Sequence, residues 1–136
     1  MVVEAQSGRR TATSSDRAAF LENLAWMVKS RWDAKLGTSL AFAVDRTMVG
    51  PRGSHYTADI VLEDPDGHWP RVCFGVMTSP SRGPVQEQLR RLLGTRDFLA
   101  REHEPKAEVW VLAPERLLVP ANLARAATGA DGVEVW

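Results

Sequence analysis

The sequence predicts an α/β fold in which a mixed central β-sheet, an antiparallel meander plus a parallel crossover strand, is flanked by helices. Two long stretches carry apolar residues at three- and four-residue steps, as amphipathic helices do. Short segments of alternating or continuous apolar residues predict strands between and after them. The resulting order is helix, three strands, helix, strand, helix, strand. A helix between two strands favours a right-handed parallel crossover, whereas tight connections between the first three strands favour antiparallel pairing.

The first predicted helix starts at Ser14 and stops before Gly37. Serine and Asp16 supply capping side chains at its start, and glycine is the usual residue just past a helix end. Polar and small residues over 1–13 predict a flexible N-terminal arm without regular structure, and we expect 14–136 to form a single domain. One face of the helix carries Leu21, Leu24, Ala25, Val28, Trp32 and Leu36.

Three strands follow the first helix. Alternation of apolar and small residues predicts a strand over 38–45, and glycines with a proline predict a loop over 49–55. The next two strands, 57–63 and 71–77, lie on either side of the sequence Asp64-Pro-Asp-Gly67. Because these residues favour tight turns, the two strands are predicted to be antiparallel neighbours.

The second half of the chain alternates helices and strands. A second helix is predicted to begin at Pro84, since proline is favoured in the first turn, and to close by residue 103. A continuous apolar segment over 107–113 predicts a buried strand. A short alanine-rich helix over 120–129 and a last strand over 133–136 complete the pattern. The apolar stripe of the second helix consists of Val85, Leu89, Leu92, Leu93, Leu99 and Ala100.

Composition restricts the function classes. With 136 residues, 44% of them apolar, the chain can bury a core without metal or disulfide bonds. The single cysteine, Cys73, lies in an apolar strand pattern, which predicts a packed, reduced thiol and a cytoplasmic, bacterial-type setting. Seventeen basic residues balance seventeen acidic ones, so a protein dedicated to coating duplex DNA is not expected. No apolar run is long enough for a membrane span, and no signal segment is expected.

Residues of the two central strands show a spacing with chemical meaning. Residues two apart share a face of a strand, so Asp59 and Glu63 point one way from the first strand, and Gly75 and Met77 share a face of the second. This layout resembles the PD-(D/E)XK, restriction-endonuclease-like superfamily, in which an Asp on one strand and Glu-x-Lys on the next hold a catalytic metal. The Asp position is Asp59, the Glu position is Gly75 and the Lys position is Met77.

The resemblance extends over roughly residues 14–113. In the family, a helix before the meander often contributes a Glu to the metal site, and Glu22 lies early in the first helix here. One exonuclease-like branch carries Gln-x-x-x-Tyr on the helix after the meander; this chain has Gln88 in that place and Leu92 at the Tyr position. The resemblance implies a mixed sheet flanked by helices and a DNA-processing setting.

Departures from the family pattern predict a catalytically inactive, nuclease-like domain. Phosphodiester hydrolysis needs clustered carboxylates for a hard cation and a positive group beside the phosphate. Gly75 has no side chain to bind a metal, and the Met77 thioether does not suit magnesium. We therefore expect no metal cofactor. The remnant site consists of Glu22, Asp59, Glu63, Gly75 and Met77.

Two alternatives stay open. A divergent metal-dependent nuclease would use Asp59, Glu63 and Glu22 with Mg²⁺ or Mn²⁺, and its replacement cation would be Lys29, Arg90 or Arg91. A non-catalytic nucleic-acid binder would keep the groove without the chemistry and contact phosphates through the second helix. Pairs such as Glu87 with Arg91, one helical turn apart, neutralise part of that surface. The candidate nucleic-acid-binding residues are Arg82, Gln88, Arg90 and Arg91.

Tryptophans off the predicted core faces favour a protein interface. Trp26 lies off the apolar face of its helix, Trp69 lies in a turn, and Trp136 ends the sequence. Exposed aromatic residues are enriched at protein interfaces. The leading functional hypothesis is therefore an inactive nuclease-like domain that acts as a protein-interaction or assembly module. Its partner would be another protein or a second copy, with DNA contact open and no membrane contact expected.

Overall fold

The structure, a computed structural model, describes residues 2–102 and 106–136, with side chains from Asp16 onward. Its eight main elements alternate as the sequence predicted, and short 3-10 turns precede β2 and α3. The elements are α1 (Val2–Leu36), β1 (Ala41–Val49), β2 (His55–Glu63), β3 (Val72–Val76), α2 (Gly83–Arg101), β4 (Glu108–Ala113), α3 (Leu118–Thr128) and β5 (Gly132–Val135).

The strands form one five-stranded sheet in the order β1-β2-β3-β4-β5. The pairs β1/β2 and β2/β3 are antiparallel, and the pairs β3/β4 and β4/β5 are parallel. The connections through α2 and α3 are the helical crossovers that parallel neighbours require. The predicted α/β class, with a meander followed by a parallel crossover, is confirmed.

Two apolar clusters cover the two faces of the sheet. Alternate residues of the central strands supply each face, as in Phe74 on one side and Cys73 on the other. Helix α1 closes the first cluster, which includes Leu24, Val28, Trp32, Ile60, Leu62, Phe74 and Leu112. Helices α2 and α3 close the second, which includes Val61, Cys73, Met77, Leu89, Leu92, Val109, Val111 and Ala121.

Helix α1 begins earlier than the sequence predicted. The pattern indicated an arm without regular structure over 1–13, whereas the helix already begins at Val2. This stretch contains no proline and a single glycine, Gly8, so no residue stops helix propagation from the packed part of α1. The predicted end of the second helix, residue 103, lies outside the described residues.

Strand β1 continues to Val49, past the predicted end at Asp45. Asp45 has a φ of 49° and no pairing partner, while the residues on either side of it pair with Ile60 and Ala58. Asp59 lies opposite Asp45 and is unpaired as well, so the register of the two strands is the same on both sides of this point. Beyond it Met48 packs in the cluster on the opposite face of the sheet from Phe42 and Val44, with 6% exposure, so the broken alternation marked a local gap in the pairing rather than the end of the strand.

Candidate functional site at Asp59

The Asp59 carboxylate lies at the point where the pairing of β2 with β3 stops. The ladder runs to Ile60 and Phe74, and beyond it the N–H of Val76 donates to Asp59 Oδ2 at 2.7 Å. A side-chain oxygen therefore takes the place of a backbone carbonyl at the end of β3. Asp59 is 9% exposed, so this bond also satisfies a donor that is withdrawn from water.

A guanidinium from α1 occupies the other Asp59 oxygen. Arg17 Nη2 donates to Asp59 Oδ1 at 3.1 Å and to Asp45 Oδ1 at 2.9 Å, so one nitrogen bridges two carboxylates. Burial lowers the pKa of Arg17, but the hydrogen bonds and charges of the two aspartates outweigh it and raise that pKa. Asp45 lies opposite Asp59 in the register of β1 and β2, which brings the second carboxylate to this position.

A cavity of about 370 Å³ opens beside Asp59, between the middle of α1, the first half of β2 and the first turns of α2. Gln88 Nε2 donates to the carbonyl of Thr57 at 3.3 Å, which ties α2 to β2. Arg91 Nε contacts Glu87 Oε1 at 3.1 Å, and the Arg91 guanidinium lies 5.9 Å from the centre of the Tyr56 ring. The cavity is thus lined by both charge signs.

Gly75 and Met77 lie on the face of β3 that packs against α2 and α3, as their spacing predicted. A Cβ on Gly75 would lie 3.5 Å from Leu89 Cδ2 and 3.7 Å from Gln88 Cδ, both on α2. Met77 is fully buried in the apolar cluster of that face. The two positions at which the resemblance predicted Glu and Lys to be replaced therefore contain a hydrogen atom and a core thioether.

The other two carboxylates of the predicted remnant site lie apart from Asp59. Glu63 is four residues along an extended strand, about 13 Å away, and its Oε1 contacts Arg46 and Arg71. Glu22 is exposed on α1, because Leu21 and its helical neighbours at three- and four-residue steps take the buried face. Over 16–102 and 106–136, no three His, Cys, Asp or Glu side chains are grouped for a metal ion.

The candidate nucleic-acid residues share α2 and its start. Gln88 and Arg91 border the cavity beside Asp59, whereas Arg90 is exposed on the neighbouring helix surface. Arg82 is the exposed residue immediately before α2. The predicted ion pair of Glu87 with Arg91 is present, so the cationic character of this surface is reduced.

The three candidate interface tryptophans differ in exposure. Trp26 is 57% exposed and meets Phe42 edge-on at 5.3 Å, and Trp69 is 42% exposed in the β2–β3 turn. Trp136 is partly buried, because it packs edge-on against Phe20 of α1 with ring centres 5.8 Å apart. Trp26 and Trp69 therefore offer the larger contact surfaces.

Sequence reasoning missed Arg17 and Asp45. Arg17 lies one helical turn before Leu21, on the extension of the buried stripe, and a charged residue there signals a partner at the sheet. Asp45 interrupts an apolar alternation, and Asp is one of the few residues that tolerate a positive φ. Neither feature of the sequence identifies Asp59 as the residue that Arg17 contacts, because the two are 42 residues apart.

Comparisons of the chain with protein-family models, with characterised proteins and with solved structures gave no match. Within the described residues, no helix combines the length and apolar character needed to cross a membrane. The functional assignment therefore depends on the geometry around Asp59.

Proposed function

We propose that this chain is a restriction-endonuclease-like domain that has lost phosphodiester hydrolysis and acts as a protein-interaction or assembly module. The mixed sheet with its meander and crossover supports the family part of the proposal. The position of Asp59 on β2, at the level of Gly75 on β3 and with Met77 just past the end of that strand, supports it further. The proposed loss of hydrolysis is supported by the residues at the two β3-side positions, Gly75 and Met77.

The observation that carries the proposal is the occupancy of both Asp59 oxygens. Val76 N–H takes one oxygen and the Arg17 guanidinium takes the other. Mg²⁺ is usually bound through one or two carboxylates whose oxygens face the ion. Here Arg17 supplies the positive charge that a metal would supply between Asp59 and Asp45, so the pair of aspartates is already neutralised in part.

The neighbouring positions cannot complete a hydrolytic site. Gly75 offers no ligand, and the Met77 thioether is a poor ligand for a hard cation and is buried in the core. No ammonium or guanidinium stands where Met77 lies to steady the charge that develops on a phosphate. Loss of one such group lowers a rate by roughly 10² to 10³.

A cleavage assay tests the inactive assignment. The purified chain and an Asp59→Asn variant are incubated with duplex DNA, single-stranded DNA and RNA in Mg²⁺ and in Mn²⁺. The amide keeps an oxygen for Val76 N–H, so the variant is a matched, folded control, which far-UV circular dichroism verifies. We expect no cleavage above the variant. Metal-dependent cleavage that Asp59→Asn abolishes would contradict the proposal and favour the divergent nuclease.

Exposed apolar side chains support the assembly role. Trp26 and Trp69 are exposed, and so are two apolar side chains of α3. Val119 is 71% exposed, and Leu123, one turn further along the helix, is 47% exposed. Light scattering gives the mass in solution, and we expect a dimer that Trp26→Ser or Trp69→Ser shifts toward monomer. Trp26→Phe is the control for loss of the indole alone. A chain that is monomeric at every concentration would exclude self-association.

A non-catalytic nucleic-acid binder is the second candidate. It is favoured by Arg91 lying over Tyr56 at the cavity, an arrangement that can stack and neutralise a single strand. Gel retardation of single-stranded DNA tests it. The test variant combines Arg90→Glu with Arg91→Glu on α2. The control is Arg125→Glu on α3, which makes the same charge change at one site. Retardation lost only in the α2 variant would favour this candidate.

A further inference from the structure

A second cavity, of about 420 Å³, lies at the far end of β2 from Asp59. It is bordered by the β2–β3 turn and by the last turns of α2. The side chains used below are Arg46, Glu63, Pro65, Trp69, Arg71 and Leu99. A volume of this size is within the range of small-molecule sites, which combine apolar walls with a few polar groups.

Two guanidinium groups share one carboxylate oxygen in this cavity. Arg71 Nε lies 2.8 Å from Glu63 Oε1, and Arg46 Nη1 contacts the same oxygen. The side chains of Arg46 and Arg71 stay 37% and 23% exposed. Across 16–102 and 106–136, neither guanidinium has another carboxylate or carbonyl acceptor within hydrogen-bond distance. Among the described residues, the two guanidinium groups are therefore in direct contact with a single carboxylate, that of Glu63.

The alignment of these contacts is poor. Glu63 Oε1 and Arg71 Nε are shielded from solvent, yet within the described part of the chain neither has a hydrogen bond of acceptable geometry. Buried polar atoms in native proteins are usually paired, so unpaired ones indicate a missing partner or a site that completes on binding. A bound anion would draw the remaining guanidinium N–H groups into well-formed bonds.

Asp64 also borders the cavity, but its oxygens are engaged by the turn. Oδ1 accepts the N–H of Asp66 at 3.0 Å, and Oδ2 accepts the N–H groups of His68 and Trp69 at 2.9 and 3.2 Å. The Asp66 N–H is the largest cause of the lowered pKa of Asp64, so the carboxylate stays ionised within its ring of donors. Asp64 is thus already bound by N–H groups of the turn, and among the described lining residues the guanidinium groups of Arg46 and Arg71 are the cationic donors.

The apolar residues that line the cavity indicate which chemical group the rest of the ligand carries. Trp69 is 42% exposed, and it lines the cavity together with Leu99 of α2 and Pro65 of the turn. Indole faces and proline rings favour contact with a flat apolar group over contact with water. A ligand that uses both parts of the cavity carries an anion at one end and an aromatic ring at the other.

We propose that this cavity binds a small aromatic carboxylate, with the carboxylate on Arg46 and Arg71 and the ring against Trp69 and Leu99. Planar guanidinium groups match a carboxylate in bidentate geometry better than a compact cation does. The site is separate from the one at Asp59, so it stands whether or not that site is inactive.

The probe is 2-naphthoate, and its neutral isostere 2-naphthamide is the control ligand. Isothermal titration gives both affinities, and the Trp69 indole N–H resonance in a ¹H–¹⁵N spectrum reports where they bind. We expect naphthoate to shift that resonance and to bind at least about tenfold more tightly than the amide, because a charge-assisted bond contributes more than a neutral one. Equal affinities, or a Trp69 resonance that does not move at millimolar naphthoate, would overturn the proposal.

Three variants locate the anion. Arg46→Gln and Arg71→Gln should each weaken naphthoate binding about tenfold or more while leaving the amide unchanged. Arg125→Gln, an exposed arginine on α3, should alter neither affinity. If a variant loses its fold, the naphthoate-to-naphthamide comparison on the wild-type chain still decides the question. Equal losses for both ligands would place the carboxylate elsewhere and overturn the assignment.

Discussion

The Asp59 side chain makes two structural contacts at once. It replaces a ladder carbonyl for Val76 and pairs with Arg17 across the end of the sheet. Both interactions use a carboxylate oxygen of Asp59 as the acceptor. One holds the end of β3, and the other holds α1 against the sheet. Removal of the Asp59 carboxylate would leave the Val76 N–H and the Arg17 guanidinium without this acceptor, which is destabilising.

Arg17→Met tests the value of the bridging guanidinium. The thioether keeps much of the chain length, so the main loss is the ion pair with a mostly buried carboxylate. Because Arg17 is 54% exposed, water screens the interaction, and we expect a loss of about 1 to 2 kcal/mol in the free energy of unfolding by urea. Arg17→Lys should lose less. A double-mutant cycle should couple Arg17 more strongly to Asp59 than to exposed Asp45; equal coupling would contradict this account.

Cys73 links stability to alkaline pH. Burial raises the pKa of its thiol from an ordinary 9.0 to about 12. Above pH 9 the unfolded thiol releases its proton while the folded one keeps it, so the folded state binds more protons and stability falls as pH rises toward 12. The slope is about 1.4 kcal/mol per pH unit. Urea unfolding of wild type and Cys73→Ala at several alkaline pH values checks this: the wild-type free energy should fall more steeply, and parallel slopes would refute it.

At the scale of the element, glycines in the strands serve different packing needs. A Cβ on Gly75 of β3 would make ordinary contacts with α2. A Cβ on Gly132 of β5 would lie 2.5 Å from Trp110 Cζ3. Trp110 has little freedom to move, because its Nε1 donates to Glu108 at 3.0 Å and its ring meets Trp32 edge-on at 5.3 Å.

Gly75→Ala and Gly132→Ala form a matched pair of substitutions. Gly75→Ala should leave the free energy of unfolding unchanged or raise it by up to about 1 kcal/mol, because alanine restricts the unfolded chain. Gly132→Ala should lower it by about 1 to 3 kcal/mol through overpacking against Trp110. Chemical denaturation of both variants gives the comparison. A destabilised Gly75→Ala would mean that α2 packs closer to β3 than the structure indicates.

Elements were predictable from the sequence where the signal is local. Apolar periodicity located α2 and β4, and turn residues located the β2–β3 connection. The end of β1 was not predictable, because the unpaired Asp45, which interrupts the alternation of faces, is bound by Arg17 from a distant helix. The start of α1 at Val2 was not predictable either, because the N-terminal residues carry no apolar stripe of their own.

At the scale of the whole molecule, the candidate site was predictable only in part. The shared face of Gly75 and Met77 follows from strand spacing, and the structure has it. The separation of Glu63 from Asp59 follows from the same strand geometry. The resemblance to the nuclease family nevertheless predicted both carboxylates in one site. The Arg17 contact joins the first helix to the middle strand, and a single sequence does not carry that pairing.

The two apolar clusters share the strands of a single sheet, so we expect them to unfold together. Phe74 is fully buried between the sheet and α1, with its ring 6.3 Å from that of Trp32. Phe74→Ala should cost about 3 to 5 kcal/mol, whereas Phe20→Ala, at a site that is 39% exposed, should cost less. Far-UV circular dichroism and tryptophan fluorescence should give coincident urea transitions for both variants, as two-state unfolding requires. Transitions that separate in Phe74→Ala would show that the face covered by α2 and α3 holds together without the face covered by α1.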